Sequence, residues 1–251
     1  MNLIALILAA GKGTRMRSDL AKVLHPFLGE PLIVHPLRAA RALAGAPKVE
    51  RAIVVVGHQA AEVEAAVEAW RPSEWPIAYA LQAEQRGTGH AVLCALEALG
   101  EFEGGVLILS GDVPLLSPQT LSRLAAGCAA SSAGMALAVF RPRDPSGYGR
   151  IIRDPRGQPV AIREQRDASA AEREIDECNA GVYCVAAEHL RGELPTLGHD
   201  NAAGEIYLTD LLALRARAGE VAVIEVDPLE VAGVNTPEQL AELEAAARAS
   251  S

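Results

Sequence analysis

Leu3-Ile4-Ala5-Leu6-Ile7-Leu8-Ala9-Ala10-Gly11-Lys12-Gly13-Thr14-Arg15-Met16 decides the fold. Leu3–Leu8 is apolar at every position, so the strand it predicts is covered on both faces, as strands of a parallel sheet between helices are. The glycines directly after it let backbone N–H groups approach an anion with no Cβ in the way. Small Ala9 and Ala10 allow a flat base to lie against the main chain. A dinucleotide fingerprint needs Gly or Ala where Met16 stands, and a Walker loop needs Gly ahead of its Lys-Ser/Thr pair, so the spacing excludes both. A Gly-rich turn alone is a structural turn as often as an anion site. Arg15 and Lys22, so close by, tip the balance toward phosphate.

Outward from this stretch, short apolar runs recur at Ala52–Val56, Val106–Leu109, Met135–Phe140 and Val182–Val185. Helical patterns at Pro31–Leu43, Ala60–Trp70 and His90–Leu99 lie between them, and this alternation predicts a doubly wound α/β architecture. It degrades after Phe140. Arg141–Asp176 is rich in Pro, Gly and charge, with short alternating pieces at Gly149–Ile152 and Pro159–Arg163, and predicts a β-rich insertion on one edge of the sheet. Helix returns at Tyr207–Ala218, then a strand at Val221–Val226 and a terminal helix at Pro237–Arg248. The expected organisation is one domain over 1–251: a nucleotide-binding half (1–140), a sugar-binding half (141–235) and the terminal segment 236–251.

Of 251 residues, 50% are hydrophobic and 22% charged, which excludes a disordered or fibrous chain. The apolar run Leu3–Ala10 is too short to span a bilayer and has no basic segment before it, so a soluble, cytoplasmic protein with no membrane partner is expected. The formal net charge of −9 argues against a general nucleic-acid binder. Residues 1–25 nonetheless hold four cations against one acid, whereas 219–251 hold seven acids against one cation. A locally basic start on an acidic chain points to one anionic small-molecule site. Cys94, Cys128, Cys178 and Cys184 form no C-x-x-C pair and read as buried thiols.

Leu8–Met16 followed by Lys22-Val23-Leu24 resembles the signature of the sugar-nucleotide pyrophosphorylases. Five further motifs follow in that family's order: Leu81-Gln82-Ala83-Glu84-Gln85-x-Gly87-Thr88-Gly89-His90-Ala91, Gly111-Asp112-Val113-Pro114-Leu115, Gly147-Tyr148-Gly149-Arg150-Ile151, Gly204-Glu205-x-Tyr207-Leu208-Thr209-Asp210 and Gly233-Val234-Asn235. From residue 3 to about 240 the chain is similar to the uridylyltransferase domain of the bifunctional N-acetylglucosamine-1-phosphate uridylyltransferases. The resemblance implies a nucleotidyltransferase fold, a Rossmann-like mixed, mostly parallel sheet flanked by helices with a β-rich sugar-binding insertion. It implies the reaction of UTP with N-acetylglucosamine-1-phosphate to give UDP-N-acetylglucosamine and pyrophosphate, by metal-assisted in-line attack on the α-phosphorus. The alternatives are the same chemistry on another sugar-1-phosphate or NTP, and a nucleotide-sugar binding module without turnover.

Asp112 follows an apolar strand and Gly111, which puts a carboxylate at a strand's carboxyl end, where open α/β sheets build their sites. The resemblance makes it a metal ligand with Asn235, both for Mg²⁺. Read without the family, Val234–Pro237 is only a helix start, with Asn235 or Thr236 as cap. Arg15, Lys22 and Asp112 are the implied catalytic residues; Arg15 can hold phosphate in a fork and Lys22 as a point charge. Lys12 and Arg17 read as solvated. The implied nucleotide set is Leu8, Ala9, Ala10, Gly11, Gly13, Lys22, Gln82, Gly87 and Thr88, with Gln82 and Gly87-Thr88 on the uracil edge. The implied sugar set is Ser110, Gly111, Gly149, Glu164, Asn179, Tyr207 and Thr209. His90, at a helix start, reads as structural.

Departures from the family pattern are Ala21 in place of Pro before the lysine, Ser110 for Tyr, Gln165-Arg166 for His-Lys and Ala180 for Thr. Ala21 leads to the expectation of a looser loop, and Ala180 with Gln165-Arg166 leaves the sugar open. No hexapeptide repeat follows the terminal segment, so neither an acetyltransferase site nor a β-helix trimer is expected of this chain.

Overall fold

The computed structural model describes residues 1–43 and 48–249; Ser250 and Ser251, the end of segment 236–251, lie outside the described residues. Its main sheet has nine strands: β1 (Leu3–Leu8), β2 (Val49–Val56), β3 (Ile77–Leu81), β4 (Gly105–Ser110), β5 (Met135–Phe140), β6 (Arg150–Arg153), β7 (Pro159–Arg163), β8 (Cys178–Ala186) and β9 (Ala222–Glu225). The path across it is β9-β5-β8-β4-β1-β2-β3. β1 runs parallel to both β2 and β4, and β2 to β3. β8 is antiparallel to β4 and β5, which makes the sheet mixed, and β9 closes the far side parallel to β5.

Helices cover both faces: α1 (Val34–Arg41), α2 (Ala60–Trp70), α3 (Thr88–Cys94), α4 (Pro118–Ala130), α5 (Ala187–Glu193), α6 (Leu211–Ala218) and α7 (Pro237–Ala249). Side chains of a strand alternate between faces. Leu3, Ala5 and Ile7 therefore enter one hydrophobic cluster while Ile4 and Leu6 enter the other. Each such burial contributes roughly 1.5–3 kcal/mol for a large aliphatic side chain. Among the described residues no helix is long and apolar enough to cross a membrane.

The apolar runs become strands where expected, with β1, β5 and β7 ending on the residues the pattern marks. The His90–Leu99 helix starts at Thr88 and breaks at Ala95 before a short turn, Leu96–Leu99. One expectation is corrected. The β6–β7 hairpin does not lie along an edge strand but stands on the first residue of β8, an inner strand, through the pairing of Cys178 with Arg150. The register of β8 shifts between Asn179 and Tyr183, where Gly181 takes φ +71°, and this irregularity lets the strand serve β5 and the hairpin together.

Candidate active site

The parallel strands β1, β2, β3 and β4 end on one side of the sheet, and a cleft of about 290 Å³ opens there. Leu8, Ala10 and Gly11 line it from the loop after β1, Gln82, Gly87 and Thr88 from beyond β3, and Ser110 and Asp112 from the end of β4. Ala9 is 2% exposed and turns its side chain into the core, so it offers the cleft its backbone alone. Gly13 holds φ +60°, and a Cβ there would collide with that of Lys22, so only glycine lets the loop fold over the lysine. Met16, which excludes the dinucleotide fingerprint, is buried with Phe27, Leu32, Val234, Leu243 and Ala247, and so ties the Gly-rich loop to the segment carrying Asn235.

The charged centre assembles from three distant stretches. Lys22 forms an ion pair with Asp112, their side chains 17% and 15% exposed. Lys22 Nζ also donates to Asn235 Oδ1 at 3.2 Å, and Arg15 donates to the same oxygen at 2.8 Å. Asn235 reaches this point because Val234 N–H donates to the Asp112 carbonyl at 3.0 Å. Thr236 is the cap of α7, its Oγ1 accepting from Gln239 N–H at 3.2 Å, which frees the Asn235 side chain. Lys12 and Arg17 are exposed.

Ala21 tightens the loop instead of loosening it. Its N–H, which proline would lack, donates to Gln59 Oε1 at 2.5 Å, while Gln59 Nε2 donates to the Asp19 carbonyl at 2.9 Å. The turn ahead of Lys22 is thereby pinned to the start of α2.

A second hollow of about 590 Å³, lined by Arg15, Gly147, Glu164, Arg166 and Tyr207, shares Glu205 with the first. Thr209 donates to Glu164 Oε1 at 3.1 Å, and burial pushes the Glu164 carboxyl above the usual carboxylate range. Gly149 lies against it, since a Cβ there would stand 3.4 Å from Oε1. Asn179 N–H donates to the Gly149 carbonyl at 2.8 Å, and its side chain is engaged by Tyr183 Oη at 2.6 Å and Gly181 N–H at 3.2 Å. Ser110 faces the first cleft and not this hollow, and Gly111 packs between the Leu8 carbonyl and Val23. Thr88 Oγ1 accepts from Leu208 N–H at 3.1 Å, joining the two walls.

Several residues at the site carry no separate signal in the sequence. Glu205 and Arg166 line the hollow, and the motif Gly204–Asp210 is the only pointer to the former. His90 packs its ring against Gln82, Nδ1 lying 3.1 Å from Nε2. Among the described residues no cluster of three or more His, Cys, Asp or Glu could hold a metal, so a cation here would rest on Asp112 and Asn235.

Fold and site together define a nucleotidyltransferase, and the chain belongs to the family described as MobA-like NTP transferase domain, which matches residues 5–226. It is 52% identical over 239 residues to the bifunctional protein GlmU of Anaeromyxobacter sp. (strain Fw109-5), a match covering 95% of this chain and 48% of that protein. The bifunctional protein GlmU of Trichlorobacter lovleyi is 49% identical over 239 residues, covering 94% of the chain and 50% of that protein. The chain thus spans about half the length of the curated relatives it matches. The solved structure of UDP-glucose pyrophosphorylase complexed with UDP-glucose superposes with a TM-score of 0.81 over 100% of both chains at 18% identity, a likeness of fold.

Proposed function

We propose that this chain transfers a uridylyl group from UTP to N-acetylglucosamine-1-phosphate and releases pyrophosphate. The reading rests on one observation above all: Arg15, Lys22, Asp112 and Asn235 meet where the Gln82–Gly87 wall adjoins the hollow around Glu164. Its relatives, the bifunctional proteins GlmU, and the match of the uridylyltransferase motifs support the substrate assignment. The role of each site residue belongs to the same proposal.

The sugar-phosphate oxygen attacks the α-phosphorus, one P–O bond forms as the bond to the leaving pyrophosphate breaks, and no covalent bond to the protein is made. Positioning two anions and neutralising their charge is then the main task. Lys22 and Arg15 supply positive charge on the phosphate side. The Gly-rich loop supplies backbone donors without steric bulk, and Gln82 and Gly87-Thr88 receive the base. Glu164, Asn179 and Gly149, with Tyr207 and Thr209, receive the sugar hydroxyl and acetamido groups.

The donor set fits a divalent cation such as Mg²⁺. A carboxylate and an amide oxygen, both hard donors, converge closely enough for one ammonium to bond both, and Gly233 leaves space beside Asp112 Oδ2. Bound there, the cation would neutralise phosphate charge; Asp112 and Asn235 would hold it.

Pyrophosphate release from UTP, Mg²⁺ and N-acetylglucosamine-1-phosphate, compared with glucose-1-phosphate, tests the reading. Turnover with preference for the acetamido sugar is expected. Asp112→Ala should lose about 10²-fold or more in turnover while keeping its cooperative melt. No pyrophosphate above that control would remove the proposal. Ala180, where the family usually carries Thr, favours as second reading the same transfer to another sugar-1-phosphate, which glucose-1-phosphate preference would reveal. A single domain over 1–251 and a cytoplasmic setting complete the proposal.

A further inference from the structure

The inference concerns the wall of the nucleotide cleft and rests on the uridylyl-transfer reading. Gln82 is 4% exposed and lines the cleft. Its amide nitrogen lies 3.0 Å from the Gly87 carbonyl. A carbonyl can only accept, so the atom facing it is the NH₂ group. The same nitrogen lies 3.1 Å from His90 Nδ1, which must then be the unprotonated ring nitrogen. That leaves the ring proton on Nε2, facing Cys94 Sγ at 3.8 Å, one turn along α3. Both amide hydrogens of Gln82 are thereby committed. Its Oε1 is engaged by no hydrogen bond among the described residues.

The helix that carries His90 is itself fixed. Gly89 N–H donates to the Ile206 carbonyl at 2.8 Å, and a Cβ on Gly87 or Gly89 would run into Ile206. We infer that His90 is a positioning residue that holds Gln82 as a pure acceptor, so that the cleft selects a base edge bearing an N–H. Uracil carries that N–H at N3; cytosine presents an acceptor at the same position. His90 acts through Gln82 and not on the reacting atoms.

The test is the ratio of kcat/KM for UTP over CTP in the full chain. His90→Ala should lower the ratio at least about fivefold, the worth of one neutral hydrogen bond, with the change in KM and not in kcat. His90→Asn places Oδ1 where Nδ1 stood and should keep most of the wild-type ratio. His90→Phe keeps the ring but no acceptor and should behave as His90→Ala; it also covers the case where the smaller variant does not fold. In a Gln82→Ala background, adding His90→Ala should change the ratio by less than about twofold. A wild-type preference for UTP that survives both His90→Ala and His90→Phe overturns the inference and leaves uridylyl transfer standing, as does an equal drop with Gln82 already removed. Absence of wild-type turnover with UTP overturns the reading beneath and this inference with it.

Discussion

At the scale of single residues, a few side chains decide what the cleft can hold. Lys22 bonds Asp112 and Asn235 together and stands beside the Gly-rich loop. Lys22→Ala should therefore raise KM for UTP more than KM for the sugar phosphate; initial rates with each substrate varied in turn check this, and equal rises would take Lys22 off the nucleotide side. Gln59 shows how a departure from the family pattern is absorbed. Ala21 restores an N–H that proline lacks, and Gln59 accepts it. Gln59→Ala leaves that buried donor unpaired, so a loss of about 1–3 kcal/mol in urea unfolding is expected, together with a higher KM for UTP. Gln59 was not legible as a site residue because it lies 38 positions from its partner.

At the scale of elements, the β6–β7 hairpin is held to β8 by few backbone pairings, and side chains complete the join. Arg153 donates to both oxygens of Glu177 at 2.7 and 2.8 Å. That guanidinium holds the Glu177 carboxyl below its ordinary value near 4.5. A depressed carboxylate contributes stability that is present above its unfolded value and is lost as pH falls through the folded one. Glu177→Gln should thus cost about 2 kcal/mol at neutral pH, and the gap to wild type should close as pH drops below the usual carboxylate range. Thermal melts of both proteins across that range measure it, and a gap independent of pH would contradict the pairing. The hairpin itself was legible from Gly149–Ile152 and Pro159–Arg163. Its seat on an inner strand was not, because short alternating strands look alike wherever they attach.

At the scale of the molecule, the two halves expected at 1–140 and 141–235 interlock. β5 (Met135–Phe140) pairs only with β8 and β9, both from the later half, and β8 stands between it and β4. A fragment covering 1–140 would leave β5 without either neighbour and expose the edge of β4. It should fail to give a cooperative melt by far-UV circular dichroism, whereas the whole chain should melt once, with coincident transitions from circular dichroism and from the fluorescence of Trp70 and Trp75. A folded, soluble 1–140 fragment would show the halves to be separable.

What the sequence by itself determined was the class and the inventory. Local patterns sufficed for that: an all-apolar six-residue run, glycines after it, and charged or amide residues at strand ends are properties of neighbouring positions. The direction of β8, the seat of the hairpin, the choice of Thr236 over Asn235 as helix cap and the contact of His90 with Gln82 were decided only by the tertiary structure. Each depends on residues that meet across the fold, where burial and the demand that every buried donor find an acceptor select one arrangement among several that the local pattern allows equally.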